Sequence, residues 1–170
     1  DPVAHVYRFN GEKKISVTEA FGKAGLVDTR WFKPEHALRG KAVHEACNLF
    51  IRDDLDEKSL HPIVIPYFKA FKKALRNSIF DWHLDLCEKP MYHSFYDYAG
   101  TADIVCKKNR KNALIDIKTG FSSCAAMQTA AYEQFPEVKK LICDRYTLKL
   151  NANGSNIVTI LQTFKTFYAP

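Results

Sequence analysis

Gly100-Thr101-Ala102-Asp103-Ile104-Val105-Cys106-Lys107-Lys108-Asn109-Arg110-Lys111-Asn112-Ala113-Leu114-Ile115-Asp116-Ile117-Lys118 is the stretch on which the fold turns. Residues 99–107 and 112–118 read as two strands flanking the basic turn Lys108–Lys111. Along a strand, alternate side chains share a face. Asp116 and Lys118 therefore point one way and Ile117 points into the core. If the two strands pair across the turn, Asp103 and Asp116 come close together. Carboxylates that close repel unless a cation lies between them, and oxygen ligands with open positions suit Mg²⁺ or Mn²⁺. The Asp116–Lys118 pair, taken alone, also reads as a solvated ion pair of little energetic worth.

Outward from this hairpin the pattern alternates helix and strand. Asn10-Gly11 between β-prone runs over 5–17 predicts an N-terminal hairpin. A short helix over 18–23 follows, with Gly25 after it. Apolar residues at three- and four-residue spacing predict a helix over 34–51, with His44 at the edge of its apolar face. A histidine there is either a packed core residue or a ligand. A second helix is predicted over 66–80. Phe68, Phe71 and Leu75 lie on one side, and Lys69, Lys72, Lys73 and Arg76 on another. That basic stripe reads either as a solvated face or as a track for a nucleic-acid backbone. Residues 84–92 read as a strand carrying Glu88, a third carboxylate. After Lys118 a helix is predicted from an N-cap at Ser122 or Ser123 to Phe135-Pro136, with Gln128 and Tyr132 on one face. Strands over 141–150 and 157–167 are joined by the turn Asn151-Ala152-Asn153-Gly154. Helices packed on a mixed sheet are the expected architecture.

Composition bounds the rest. The 170 residues correspond to one domain. A hydrophobic share of 46% and a charged share of 26% exclude disordered and collagen-like chains. No apolar run reaches the ~18–20 residues of a membrane span, and no secretory signal is legible. Asp1 in place of Met leaves room for an upstream segment, and the end at Ala169-Pro170 for a further helix. The five cysteines are odd in number and form no CxxC pair, which speaks for buried, reduced thiols and against a zinc ribbon. The net charge of +6 favours a polyanionic partner, nucleic acid or anionic membrane.

Five stretches together resemble the PD-(D/E)XK nuclease superfamily, in its RecB-like and phage exonuclease-like branch. They are Arg39-Gly40-Lys41-Ala42-Val43-His44, Glu88, Gly100-Thr101-Ala102-Asp103, Ile115-Asp116-Ile117-Lys118-Thr119-Gly120 and Gln128-Thr129-Ala130-Ala131-Tyr132, in the family's order. The lead-in from Tyr7 through Val17 to Trp31 is also similar to phage-type members. The family's name-giving proline is absent, since Ala102 precedes Asp103.

The resemblance implies a restriction-endonuclease-like α/β fold. One domain would span 1–170, with hairpin and helices over 1–83 and a catalytic core over 84–170, its sheet of about five strands. It implies Asp103, Asp116, His44 and the Ile117 carbonyl as ligands of one or two Mg²⁺ or Mn²⁺ ions, and Lys118 as the catalytic lysine. Glu88 would be the additional acid. Gln128 and Tyr132 would support the lysine, and Arg39 and the basic stripe would meet DNA. An iron–sulfur cluster is not expected, because only Cys143 follows Tyr132.

The implied activity is metal-dependent hydrolysis of DNA phosphodiesters in recombination, repair or phage replication. It would proceed from DNA ends, since no separate base-reading element is evident. The implied setting is the cytoplasm of a bacterial or phage-infected cell. DNA, together with a recombination or replication protein, would be the partner, and no membrane is involved. An inactive DNA-binding protein of nuclease fold, and a structure-specific endonuclease or RNase, are the alternatives.

Overall fold

A computed structural model describes residues 6–27 and 33–161. His5, Trp31 and the part of the last expected strand beyond Leu161 lie outside them. The chain begins with β1 (Tyr7–Phe9) and β2 (Glu12–Ser16), joined by Asn10 and Gly11 at φ 50° and 82°. Positive φ at both positions is what an Asn-Gly hairpin turn requires. Ser16 caps α1 (Val17–Lys23) by accepting the Glu19 N–H. Next come α2 (Pro34–Ile51), with proline in its first turn, and α3 (Ile65–Leu75).

α3 stops at Leu75, short of the expected Phe80. Phe80 instead belongs to β3 (Phe80–Trp82), antiparallel to a later strand. Its ring stacks on Trp82 at 4.8 Å, and the Asn109 side chain accepts the Ile79 N–H. Sheet pairing of two aromatic residues overrides helical continuation here.

Two further expectations are corrected. Residues 84–88 form turns, not a strand, and extended structure begins at β4 (Pro90–His93). Glu88 itself has φ 53°. The single strand expected over 99–107 is two, β5 (Tyr98–Thr101) and β6 (Ile104–Lys108), in different sheets. The break at Ala102-Asp103 is pinned by the Glu88 N–H, which donates to the Ala102 carbonyl at 2.9 Å. β7 (Lys111–Lys118) is as expected. α4 (Ala125–Glu133) starts after Cys124 and not at a serine cap. α5 (Pro136–Lys139), β8 (Asp144–Leu150) and β9 (Asn156–Leu161) complete the order.

The architecture is mixed α/β with two mixed sheets. The larger has the order β3-β6-β7-β8-β9, with β7 and β8 parallel. The smaller, β1-β2-β5-β4, was not foreseen, and in it β2 and β5 are parallel. β2 and β3, from before residue 84, hydrogen-bond to β5 and β6 from after it.

Period-two alternation divides the large sheet between two cores. Ile104, Cys106, Ile115, Ile117 and Leu148 pack with Val43, Cys47, Phe68 and Phe71 of α2 and α3. Val105 and Leu114 pack on the other side with Tyr132, Phe135 and Val138. Each large apolar side chain so buried contributes about 1.5–3 kcal/mol. The two sheets meet where β5 hands over to β6, and that junction positions the site. Among the described residues no helix is long and apolar enough to cross a membrane.

Candidate functional site

Asp103 lies in the gap between β5 and β6, not on a strand as expected. The β6–β7 register pairs Ile104 with Ile115, which sets Asp103 beside Asp116. One Asp103 oxygen accepts the Ile117 N–H at 2.6 Å. The other faces His44 Nδ1 at 3.3 Å. Glu88, carried inward by its left-handed turn, brings Oε1 to 3.8 Å from the same nitrogen. The ligand atoms of His44, Glu88 and Asp103 lie within 4.8 Å of one another.

The electrostatics are those of a nitrogen base trapped between two acids. Burial disfavours the His44 cation, yet the Asp103 and Glu88 carboxylates outweigh it and hold its pKa up at about 10. Burial raises Glu88. Burial also penalises the Asp103 anion, but the nearby His44 and Lys118 charges hold its pKa below the usual carboxylate range.

A second constellation adjoins the first. Asp116 is 1% exposed. Its two oxygens meet the Lys118 ammonium at 2.9 and 2.8 Å. That ammonium also donates to Gln128 Oε1 at 2.9 Å, and Gln128 Nε2 donates to the Tyr132 hydroxyl at 2.8 Å. Burial, reinforced by the Asp103 charge, pushes Asp116 up to about 7 despite Lys118. Gly100 makes room for this chain: a Cβ there would lie 2.7 Å from Tyr132 Cε1.

Both constellations line one cleft of about 640 Å³ between α2, the β5–β6 junction and α4. Of the sequence-derived residues, His44, Glu88, Asp103, Lys118, Gln128 and Tyr132 line it. Asp116 is not among the clustered ligand atoms, because its oxygens are turned to Lys118. Glu88 takes the third place in the donor set. Ile117 enters through its N–H, while its side chain is in the core.

The expected DNA contacts do not converge on this cleft. Lys69, Lys73 and Arg76 are on the exposed side of α3 and its end, and none lines the cleft. Lys72 is paired with Glu57 at 2.6 Å and sits over the Phe68 ring. Arg39 lies over the Tyr67 ring at 5.3 Å and reaches the Thr119 carbonyl, which ties α2 to the end of β7.

Tyr7 is a site residue that sequence reasoning missed. Its hydroxyl is 2.9 Å from Thr101 Oγ1, and it lines the cleft from the N-terminal hairpin. Burial first, then the Glu88 and Asp103 charges, push its phenol pKa upward. No local pattern marks it, since the contact spans the chain.

One imidazole nitrogen and two carboxylates fit a divalent cation, which would relieve the repulsion between Glu88 and Asp103. The mixed nitrogen and oxygen set suits Mn²⁺ as well as Mg²⁺. No model of a known protein family matches this chain, and no curated protein matches it.

Proposed function

We propose that this protein is a metal-dependent nuclease that hydrolyses DNA phosphodiesters, acting from strand ends, on a restriction-endonuclease-like core. The observation that carries the reading is one cleft holding the His44–Glu88–Asp103 donor set beside Lys118, itself fixed between Asp116 and Gln128. The five-stranded sheet with its parallel β7–β8 pair supports the fold assignment.

In this mechanism His44, Glu88 and Asp103 hold the ion. When bound, it supplies Lewis-acid polarisation of a phosphate oxygen and a more acidic water. The chain's own groups supply the rest. The Lys118 ammonium offsets negative charge growing on the phosphate. Gln128, oriented by Tyr132, keeps that ammonium at the end of β7. Asp116, buried behind Lys118, meets that ammonium with both oxygens at 2.9 and 2.8 Å and so fixes its place from the other side. The net charge of +6 favours a polyanionic substrate. Free, buried cysteines suit a reducing cytoplasm, bacterial or phage-infected, where the enzyme would serve recombination, repair or replication.

The test is a cleavage assay on end-labelled linear duplex, covalently closed circles and single strands, with Mg²⁺, Mn²⁺ or EDTA. Loss of linear DNA to short products with circles intact, abolished by EDTA, is the expected result. Discrete cuts in closed circles would make the enzyme an endonuclease. Binding without cleavage under any metal would leave a DNA-binding protein.

A further inference from the structure

Resting on the nuclease reading above, we infer that the concave face of the small sheet is a single-strand subsite. It takes unpaired nucleotides of the substrate, with a base stacked against Phe9 and Tyr92 and the backbone leading to the His44–Glu88–Asp103 cluster.

The register defines the face. Tyr7 pairs with Lys14, Ser16 with Ala99, Pro90 with Thr101 and Tyr92 with Ala99. Tyr7, Phe9, Lys14, Thr101 and Tyr92 therefore project to the same side. β1 and β4 are opposite edges of this sheet. Even so, the Phe9 and Tyr92 rings stack at 4.3 Å with an interplanar angle of 23°. The sheet must curl for its edges to meet. The resulting groove of about 840 Å³ shares Tyr7, Glu88 and Thr101 with the site cleft, so the two are continuous.

The chemistry of the groove selects a base, not a phosphate ladder. Phe9 is stacked on one side yet 45% exposed, which leaves aromatic surface for one more ring. Lys14 sits over Tyr92 but is already paired with Glu12 and Asp97, leaving exposed Arg8 as the groove's other cation. Glu88 and Glu137 bring negative charge to the same walls. A duplex backbone would demand continuous positive charge and would keep its base faces covered. An unpaired strand offers the base faces that stack on aromatic side chains, whatever the sequence.

The experiment is fluorescence anisotropy in Ca²⁺ with a short labelled single strand and with the same sequence as a blunt duplex. The wild-type protein is expected to prefer the single strand. Phe9→Ala should weaken single-strand binding by about tenfold, the scale of one lost base stack. Duplex binding, and Mn²⁺ binding by calorimetry, should stay as in wild type. Phe9→Leu keeps apolar bulk without the ring and should behave like Phe9→Ala, while Phe9→Trp should restore affinity. Unchanged single-strand affinity in Phe9→Leu, or an equal loss for duplex, overturns the subsite. The two readings fail separately. Metal-dependent cleavage with no Phe9 effect removes only the subsite, and the Phe9 effect without cleavage under any metal removes only the nuclease.

Discussion

The Ile117 N–H donates to Asp103 Oδ2 at 2.6 Å, so one carboxylate both closes the junction between the two sheets and aims its remaining oxygen at His44. These two tasks can be separated by mutation. Asp103→Asn can still accept the Ile117 N–H but loses the charge facing His44. It should keep most of the stability while Mn²⁺ affinity falls at least about tenfold, on the scale of a lost metal-site interaction. Asp103→Ala leaves the Ile117 amide buried and unpaired, which adds a stability loss of about 1–3 kcal/mol. Urea unfolding and calorimetric Mn²⁺ titration of the pair check this. Equal stability of the two variants would refute the structural half.

Lys118 and Asp116 make a second separable pair. Lys118→Ala should lower the cleavage rate by about 10²-fold or more, the scale of a lost transition-state charge donor. It also strips the buried Asp116 of its cation, so the melting temperature should fall. Adding Asp116→Asn removes the carboxyl, which without Lys118 must hold a proton to stay buried. The double variant should recover stability and stay inactive. If the double variant is no more stable than Lys118→Ala, the ion pair is not what holds this part of the fold.

The sequence marked most of the site because its signals were local. Asp116 and Lys118 share a face by strand alternation, and Gln128 and Tyr132 by helical spacing; the hydrogen bonds at Lys118 and Gln128 follow from that. Glu88 and Asp103, expected on strands, come together with His44 from a turn and from a break between strands. Glu88 owes its position to a left-handed turn, and Asp103 to a break between sheets that the extended reading of 99–107 as one strand conceals. The small sheet was illegible because β2 pairs in parallel with β5, from which it is far removed in sequence. For the same reason Tyr7 was missed. The basic stripe on α3 was plain in the sequence, but its distance from the cleft depends on packing that periodicity does not encode.

Gly100 offers a test of how Tyr132 positions the lysine. Gly100→Ala would set a Cβ 2.7 Å from Tyr132 Cε1 and 3.3 Å from Phe135 Cζ, both rings being buried. Neither ring can swing into solvent. Overpacking of this kind costs about 1–3 kcal/mol. A displaced Tyr132 also releases Gln128 from Lys118. The expected result is a lower kcat with KM little changed, alongside a lower Tm. Tyr132→Phe in the wild-type background removes only the hydroxyl that Gln128 uses. It should lower kcat with a smaller loss of stability. Full activity in both variants would reduce the Gln128–Tyr132 pair to packing.

The thiols away from the site predict how the fold responds to alkali. Cys106 and Cys143 are buried, and burial pushes each up to about 12. An unfolded cysteine titrates near about 8.5. The native state therefore favours the neutral thiol, and unfolding above that pH releases a proton. Stability from these groups is fully present below the unfolded value and is lost as the pH climbs toward about 12. Each thiol contributes a slope of about 1.4 kcal/mol per pH unit across that window. Urea unfolding between pH 8 and the alkaline limit should show stability falling with pH. Cys143→Ala should lower stability at neutral pH through its small cavity, yet flatten the alkaline slope by one thiol's share. Lysines and tyrosines titrate in the same range but are common to both proteins, so the difference in slope isolates the cysteine. Parallel curves for the two proteins would show that Cys143 ionises as freely in the fold as outside it.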